Sequence, residues 1–144
     1  MSFKKLAFSS AFALAASLMI AQSASAASAS YSTQAVAPSI YYKNDWQSVA
    51  YPVLGSPPSN AKVTQVSYTW SYTYPRPTGL LVYLCNNIGT VCWNVTNYAS
   101  GTVNFTGYDV PANQSLRLYA KVEGTGTMAP LYGGTTTVSV NYTY

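Results

Sequence analysis

The sequence predicts an all-β protein: a small antiparallel β-sandwich with immunoglobulin-like dimensions and about seven strands. Several segments alternate apolar and polar residues with a period of two, and turn residues recur about every 8–12 residues. Beyond residue 26, no window repeats apolar residues with the 3.6-residue period of a helix. The two cysteines flank a polar turn between two apolar arms, which is the pattern of a disulfide-closed hairpin. A small closed barrel is the alternative architecture.

The N-terminus has the three parts of a secretory signal peptide. Lys4 and Lys5 precede an apolar run that ends at Ile20, and Ala24-Ser25-Ala26 fits the small-residue cleavage pattern. Residues 1–26 are therefore predicted to be removed on export. The run is interrupted by serines and is short for a membrane span, so a retained anchor is the weaker interpretation. We expect the mature protein in the periplasm, with release from the cell as the alternative.

The first part of the mature chain is predicted to form only short or loosely held strands. Residues 27–39, rich in Ala, Ser, Thr and Gln, are interpreted as a flexible leader or a loosely held first strand, which leaves 40–144 as the β-sandwich domain. Residues 40–51 are expected to form two short strand pieces around a turn at Asn44-Asp45. A loop over 52–58 contains three prolines, which cannot join a central ladder.

Residues 62–74 show the most regular alternation in the chain. Strict alternation over this length indicates one buried and one wet face, as in antiparallel sheets. The side chains predicted to point inward are Val66, Tyr68, Trp70, Tyr72 and Tyr74. A loop over 74–79 with two prolines then ends the strand.

Residues 80–93 form the predicted hairpin, with Cys85 and Cys92 on its two arms. In an exported chain, two cysteines seven residues apart pair most simply with each other. A free thiol acting as a nucleophile is the alternative. The sequence has no histidine that could serve as its base, which argues against this role.

The remaining strands follow the same period. A brief alternation at 102–105 leads to a connection over 107–114, and a strand is predicted over 115–123. A last strand covers 137–144. The residues predicted to point inward from the first of these strands are Leu116, Leu118, Ala120 and Val122. In the last strand, one face carries Val138, Val140, Tyr142 and Tyr144.

The composition excludes several classes of chemistry. The absence of histidine removes a His-based triad and a His zinc site. The acids after the signal peptide are Asp45, Asp109 and Glu123, and a glycosidase would need two of them across one bond. The net charge of +4 is small and unclustered, so nucleic-acid binding is not indicated. We predict no catalytic residue, metal site or cofactor, and no stable membrane insertion.

Aromatic residues carry the remaining indication of binding. The chain has 14 tyrosines and 3 tryptophans, and charged residues make up only 7% of it. Trp46 and Trp93 lie near predicted turns, and Arg76 lies between two prolines, so these three residues are the candidates for a binding surface. The alternative is core packing, which we expect for Trp70 because it lies mid-strand on the buried face.

An ordered set of short motifs resembles the flagellar protein FlhE family over about residues 41–144. The set comprises Leu84-Cys85 with Cys92, Pro111-Ala112-Asn113 before Leu116-Arg117, Gly124-x-Gly126, and the terminal Val140-Asn141-Tyr142. Cys85 and Cys92 match the family's cysteine pair, and Trp46 matches its early tryptophan. The resemblance implies a periplasmic, non-enzymatic β-sandwich that limits proton leak or misassembly at the flagellar export gate.

Three functions therefore remain open. The first is an accessory protein that binds a protein partner in the cell envelope, such as the flagellar export apparatus. The second is a carbohydrate- or envelope-binding module, which the aromatic and uncharged composition favours. The third is a fimbrial or biofilm subunit, which would take a missing strand from its neighbour.

Overall fold

The computed structural model describes residues 24–144 and shows two packed four-stranded sheets. The first sheet has the order β1-β8-β3-β6 and the second has the order β2-β7-β4-β5. Every strand pair is antiparallel. The strands are β1 (Ser28–Val36), β2 (Gln47–Ala50), β3 (Lys62–Thr69), β4 (Leu80–Cys85), β5 (Cys92–Asn94), β6 (Ser100–Asn104), β7 (Arg117–Val122) and β8 (Thr135–Thr143). The predicted antiparallel β-sandwich is confirmed, with eight strands. Within the described residues, no helix is long and apolar enough to cross a membrane.

Strand β1 decides between the two interpretations of residues 27–39: Ser28–Val36 is a first strand, and the flexible leader was wrong. All nine residues of Ser28–Val36 pair with β8, and Ala27 exchanges backbone hydrogen bonds of 3.0 Å with Tyr144. The segment is weakly apolar, so its order depends on backbone pairing with a strand that lies more than 100 residues later in the chain. Residues 1–23 of the predicted signal peptide lie outside the described part, and its cleavage stays a prediction.

Strand β3 confirms the predicted alternation and shows where it stops. Its inward side chains and the two residues that continue the pattern, Trp70 and Tyr72, are buried. A register shift between Val63 and Gln65 lets both Val63 and Val66 point inward. The prediction that Tyr74 is buried was wrong, because the chain has left the ladder by then and Tyr74 is 78% exposed.

The core lies between the two sheets, and the inward residues predicted for the last strands largely occupy it. Tyr144 is the exception: it follows the last strand and is 45% exposed. Strands β4, β7 and β8 alternate buried and partly exposed positions along most of their length, as strands with one wet face do. The largest fully buried side chains include Tyr51, Tyr72, Phe105, Ile40, Leu84, Leu116 and Leu118.

The hairpin of β4 and β5 has the predicted disulfide. Cys85 is paired with Cys92 in the ladder, and their sulfur atoms are bonded. The Asn86 side chain holds the turn, because its Oδ1 accepts hydrogen bonds from the backbone N–H groups of Thr90 (2.9 Å) and Val91 (3.1 Å). The turn is therefore fixed by the disulfide and by a local hydrogen-bond network.

Candidate functional site

The three predicted binding residues occupy three different environments. Trp46 lies on the outer face of the second sheet, Arg76 lies in the β3–β4 loop, and Trp93 lies on β5 with its ring turned toward the core. They do not form one surface. The structure instead shows two aromatic surfaces, of which one contains Trp46 and the other adjoins Arg76.

The first surface is a groove on the outer face of the second sheet, referred to below as the aromatic groove. The strand register aligns Ser48, Tyr119, Tyr83 and Asn94 in one row across the four strands. The next row contains the disulfide on β4 and β5. The residues that line the groove are Trp46, Tyr83, Cys85, Ile88, Gly89, Cys92 and Tyr119.

Trp46 forms one wall of the aromatic groove. Its ring meets Tyr83 edge to face, with 5.6 Å between the ring centroids, and Lys121 Nζ lies 4.6 Å from the Trp46 ring centroid. These contacts leave the indole 44% exposed. Trp46 is thus held in place on the surface without being buried.

The loop before Trp46 is fastened to the loop after β7. The Asn44 N–H donates to the Val122 carbonyl at 2.7 Å, and Asn44 Nδ2 donates to the Gly124 carbonyl at 2.8 Å. Lys43 Nζ donates to the Thr125 carbonyl at 2.6 Å. Asn44 has a φ of 62°, a conformation that asparagine tolerates better than most residues. These hydrogen bonds of Lys43 and Asn44, called the Asn44 clamp below, fix the position of the Trp46 wall.

The β4–β5 turn forms the opposite wall. Ile88 is 72% exposed at its tip. Gly89 has a φ of 72°, and a side chain there would start 3.5 Å from the Tyr119 hydroxyl. The positive φ favours glycine in this turn, whereas an added Cβ would make only an ordinary van der Waals contact with Tyr119. The turn stands beside the rings of the sheet and narrows the groove.

The aromatic groove has a volume of about 420 Å³ and no charged residue in its lining. Its floor is made of tyrosine rings on paired strands and of the disulfide, so it is a formed cavity with rigid support. Sequence reasoning identified Trp46 but not Tyr83 or Tyr119 as candidates. The alternation of 115–123 does place Tyr119 outward, but only the register places Tyr83 beside it.

Arg76 does not project into solvent as a cationic contact. Its guanidinium carbon lies 4.6 Å from the Trp70 ring centroid and 4.4 Å from the Tyr74 ring centroid. Arg76 Nε is buried and has no hydrogen-bond partner among the described residues. The Arg76 side chain therefore packs within the β3–β4 loop, against the exposed Tyr74 ring and the buried Trp70 ring.

Trp93 is also used mainly for packing. Its ring meets Phe105 at 6.3 Å and Tyr108 at 5.9 Å between centroids, both edge to face. Its Nε1 is buried and has no hydrogen-bond partner among the described residues. In the ladder it pairs with Leu84, which points into the core, so Trp93 lies on the opposite face of the second sheet from the aromatic groove.

The second surface, referred to below as the tyrosine end, is formed by three loops at one end of the sandwich. These are the β1–β2, β3–β4 and β7–β8 loops, which the bridges Ile40–Leu131 and Tyr72–Gly133 hold together. Its exposed rings are Tyr41, Tyr42, Tyr74 and Tyr132, with exposed fractions from 52% to 78%. Met128 lines both of the clefts between these loops, so the surface is continuous.

The acidic residues do not form a catalytic pair. Asp109 pairs with Lys62 at 2.9 Å, Glu123 pairs with Lys121 at 2.8 Å, and Asp45 Oδ2 accepts a hydrogen bond from Gln47 at 2.7 Å. Each carboxylate therefore interacts with a different side chain, and no two carboxylates share a partner. Within residues 24–144, no group of three or more metal-ligating side chains is placed to hold an ion.

Comparison with known proteins gives a consistent result. A family model described as flagellar protein FlhE matches residues 46–143. Among solved structures, the chain is similar to a crystal structure of FlhE, with 25% sequence identity and a TM-score of 0.69, over 81% of this chain and 98% of that chain. No curated protein sequence matches the chain. Since the family model spans most of the chain and includes both walls of the aromatic groove, the chain belongs to the FlhE family of flagellar proteins.

Proposed function

We propose that this protein is exported to the periplasm and acts there without catalysis, as an accessory protein of the flagellar export system. It would bind a protein partner and limit proton leak or misassembly at the export gate. Membership of the FlhE family is the observation that carries the proposal. The predicted N-terminal signal peptide and the disulfide support the location, because disulfides persist in oxidising compartments.

The tyrosine end is the surface that best suits a protein partner. It has four exposed tyrosine rings together with exposed Pro75 and Pro130, and protein interfaces are enriched in such aromatic residues. The loops are pinned to one another by the two bridges and by the Asn44 clamp. A rigid aromatic surface loses little conformational entropy when a partner binds.

The arrangement of polar groups supports a role in binding over one in catalysis. The three acids of the described part are separately engaged, and the chain has no histidine. General acid–base catalysis needs such groups converged on one bond. Neither aromatic surface brings two of them together.

The experiment is a gene deletion complemented with variants of the full-length gene. Swimming motility, the number of flagella per cell and cytoplasmic pH after an acid shift are measured. We expect the deletion to change at least one of these readouts and the wild-type gene to restore it. A deletion that changes none of the three would refute the flagellar role.

A variant with Tyr42→Ala and Tyr74→Ala tests the surface. Both rings are at least 75% exposed, so their loss should leave folding intact and abolish complementation. The control is Tyr108→Ala, a 52% exposed tyrosine in the β6–β7 connection at the other end of β3. Full complementation by the double variant would exclude the tyrosine end as the contact surface and leave the flagellar role standing.

A further inference from the structure

We propose that the aromatic groove binds a neutral sugar ring, a pyranose unit of a glycan. This site is distinct from the tyrosine end and adds a second binding activity to the proposed protein contact. The two surfaces have no exposed aromatic residue in common. Either activity can therefore be present when the other is absent.

The size and shape of the groove favour a compact ligand. Its volume of about 420 Å³ lies within the range of roughly 300–1,000 Å³ that is usual for small-molecule sites. Trp46 and the β4–β5 turn confine it from two sides. An occupant of one or a few rings fits between these walls, whereas an extended strand or a helix would meet both of them.

The surfaces of the groove match the two surfaces of a pyranose. One face of such a ring carries C–H groups, which pack on aromatic rings, and its edge carries hydroxyl groups. In the groove, the rings of Trp46, Tyr83 and Tyr119 are the surfaces on which the C–H face of the sugar would pack. For the hydroxyl edge, the lining residues Tyr83 and Tyr119 each carry a hydroxyl group, of which that of Tyr119 lies beside Gly89, and the Tyr83 oxygen accepts a hydrogen bond from Asn94 Nδ2 at 3.3 Å. Tyr83 therefore keeps its own O–H for a ligand.

The electrostatics favour a ligand without charge. No lining residue is ionic, so a carboxylate or an ammonium group placed inside would lose hydration without meeting a counter-ion among the residues that line the groove. Lys121 lies beside the groove, where its Nζ pairs with Glu123 at 2.8 Å and lies over the Trp46 ring. Arg117, one row further along β7, donates from Nη2 to Ser48 Oγ at 3.1 Å.

The supports of the groove are already in place before a ligand binds. The Asn44 clamp holds the Trp46 wall, and the Asn86 network and the disulfide hold the opposite wall. Little loop ordering is needed on binding, so weak stacking contacts are not cancelled by lost entropy. A rigid aromatic site of this kind is suited to recognising a short segment of a polymer that offers many equivalent units.

The test is a glycan array probed with the exported protein. The array carries neutral hexose and N-acetylhexosamine oligosaccharides beside acidic ones that contain uronic or sialic acids. The best neutral oligosaccharide is then titrated in solution and followed by tryptophan fluorescence. We expect binding to neutral glycans, at least about tenfold weaker binding by Trp46→Ala, and unchanged binding by Tyr108→Ala.

Tyr119→Phe is the second variant, since it removes one hydroxyl and keeps the ring that packs on the sheet. We expect it to weaken binding by several-fold while the thermal unfolding midpoint stays close to that of the wild type. Silence toward all neutral glycans, binding only to acidic ones, or equal affinity of wild type and Trp46→Ala would each overturn the proposal. None of these outcomes bears on complementation of the flagellar phenotype.

Discussion

Breaking the Cys85–Cys92 disulfide is expected to lower the free energy of unfolding by about 2.5 kcal/mol, mainly through the unfolded state. The bridge joins residues with a sequence separation of 7, so it closes a short loop. For such a loop the chain-entropy relation predicts a loss of about 8 cal/mol/K, or about 2.5 kcal/mol at 25 °C. This is below the roughly 4 kcal/mol expected when a bridge closes a much longer loop.

The structure indicates that the hairpin should survive without its bridge. The Asn86 N–H donates to the Val91 carbonyl at 2.9 Å, and the Asn86 side chain holds two further backbone N–H groups of the turn. Strand β4 is also paired along its length with β7. The folded state of the variant should therefore keep the turn, and its loss of stability should reflect the larger freedom of the unfolded chain.

Urea unfolding at neutral pH measures this loss, followed by far-UV circular dichroism and tryptophan fluorescence. Wild-type protein reduced with a thiol is the matched comparison, because it keeps every side-chain atom. The double alanine variant should lie up to about 1 kcal/mol lower still, since Cys85 is buried and its truncation leaves a small void. A change below about 1 kcal/mol on reduction, or loss of the β-sheet spectrum, would contradict the reasoning.

Two further substitutions test the packing of the sandwich. In Gly133→Ala, the added Cβ would collide with the carbonyl group of Ala37, where the β1–β2 loop meets the β7–β8 loop, and we expect a loss of more than about 3 kcal/mol in urea unfolding. Burial raises the pKa of Tyr51 to about 12 from the ordinary 10.0, so the folded state favours the neutral phenol. The stability that this neutral phenol contributes is fully present below pH 10 and is lost as the pH rises toward 12, by a few kcal/mol in all. Tyr51→Phe should cost about 1 kcal/mol at pH 7, because it removes the hydrogen bond to Thr136, but should lose less stability than the wild type from pH 10 to 12.

Each of these two predictions has a control measurement. Gly126→Ala is the control for Gly133→Ala: nothing lies within 4 Å of its added Cβ, so only its φ of 76° opposes it, at a cost of about 1 kcal/mol. Equal losses for the two glycines would mean that close packing at Ala37 is unimportant. For Tyr51, urea midpoints are compared at pH 7 and pH 11, and the same pH dependence in wild type and Tyr51→Phe would exclude a burial effect at this residue.

Local sequence patterns predicted most of the strands and the buried faces of several of them. The alternation of residues 62–74 predicts the buried ring of Trp70, and the cysteine spacing predicts the hairpin that the structure contains. Period-two alternation follows from the strand geometry itself, so it needs no knowledge of the partner strand. The error at Tyr74 arose because alternation does not show where a strand leaves its ladder.

Long-range pairing accounts for what the local patterns missed. Ser28–Val36 has a leader-like composition and became an edge strand because β8 supplies its hydrogen bonds. The contacts of Arg76 are local by comparison, because Trp70 and Tyr74 precede it in the same stretch of chain, and the path of the β3–β4 loop brings its guanidinium onto their rings. The β1–β8 pairing leaves no signal in the neighbouring residues, since it joins segments that meet only in the folded chain.

The amino-acid sequence by itself determined the all-β class, the hairpin with its disulfide, the lack of histidine chemistry and the likeness to the FlhE family. The tertiary structure alone decided that Trp46, Tyr83 and Tyr119 line one groove, while Trp93 turns away from it. The physical reason is the strand register, because a shift by one residue would move every one of these rings to the other face of the sheet.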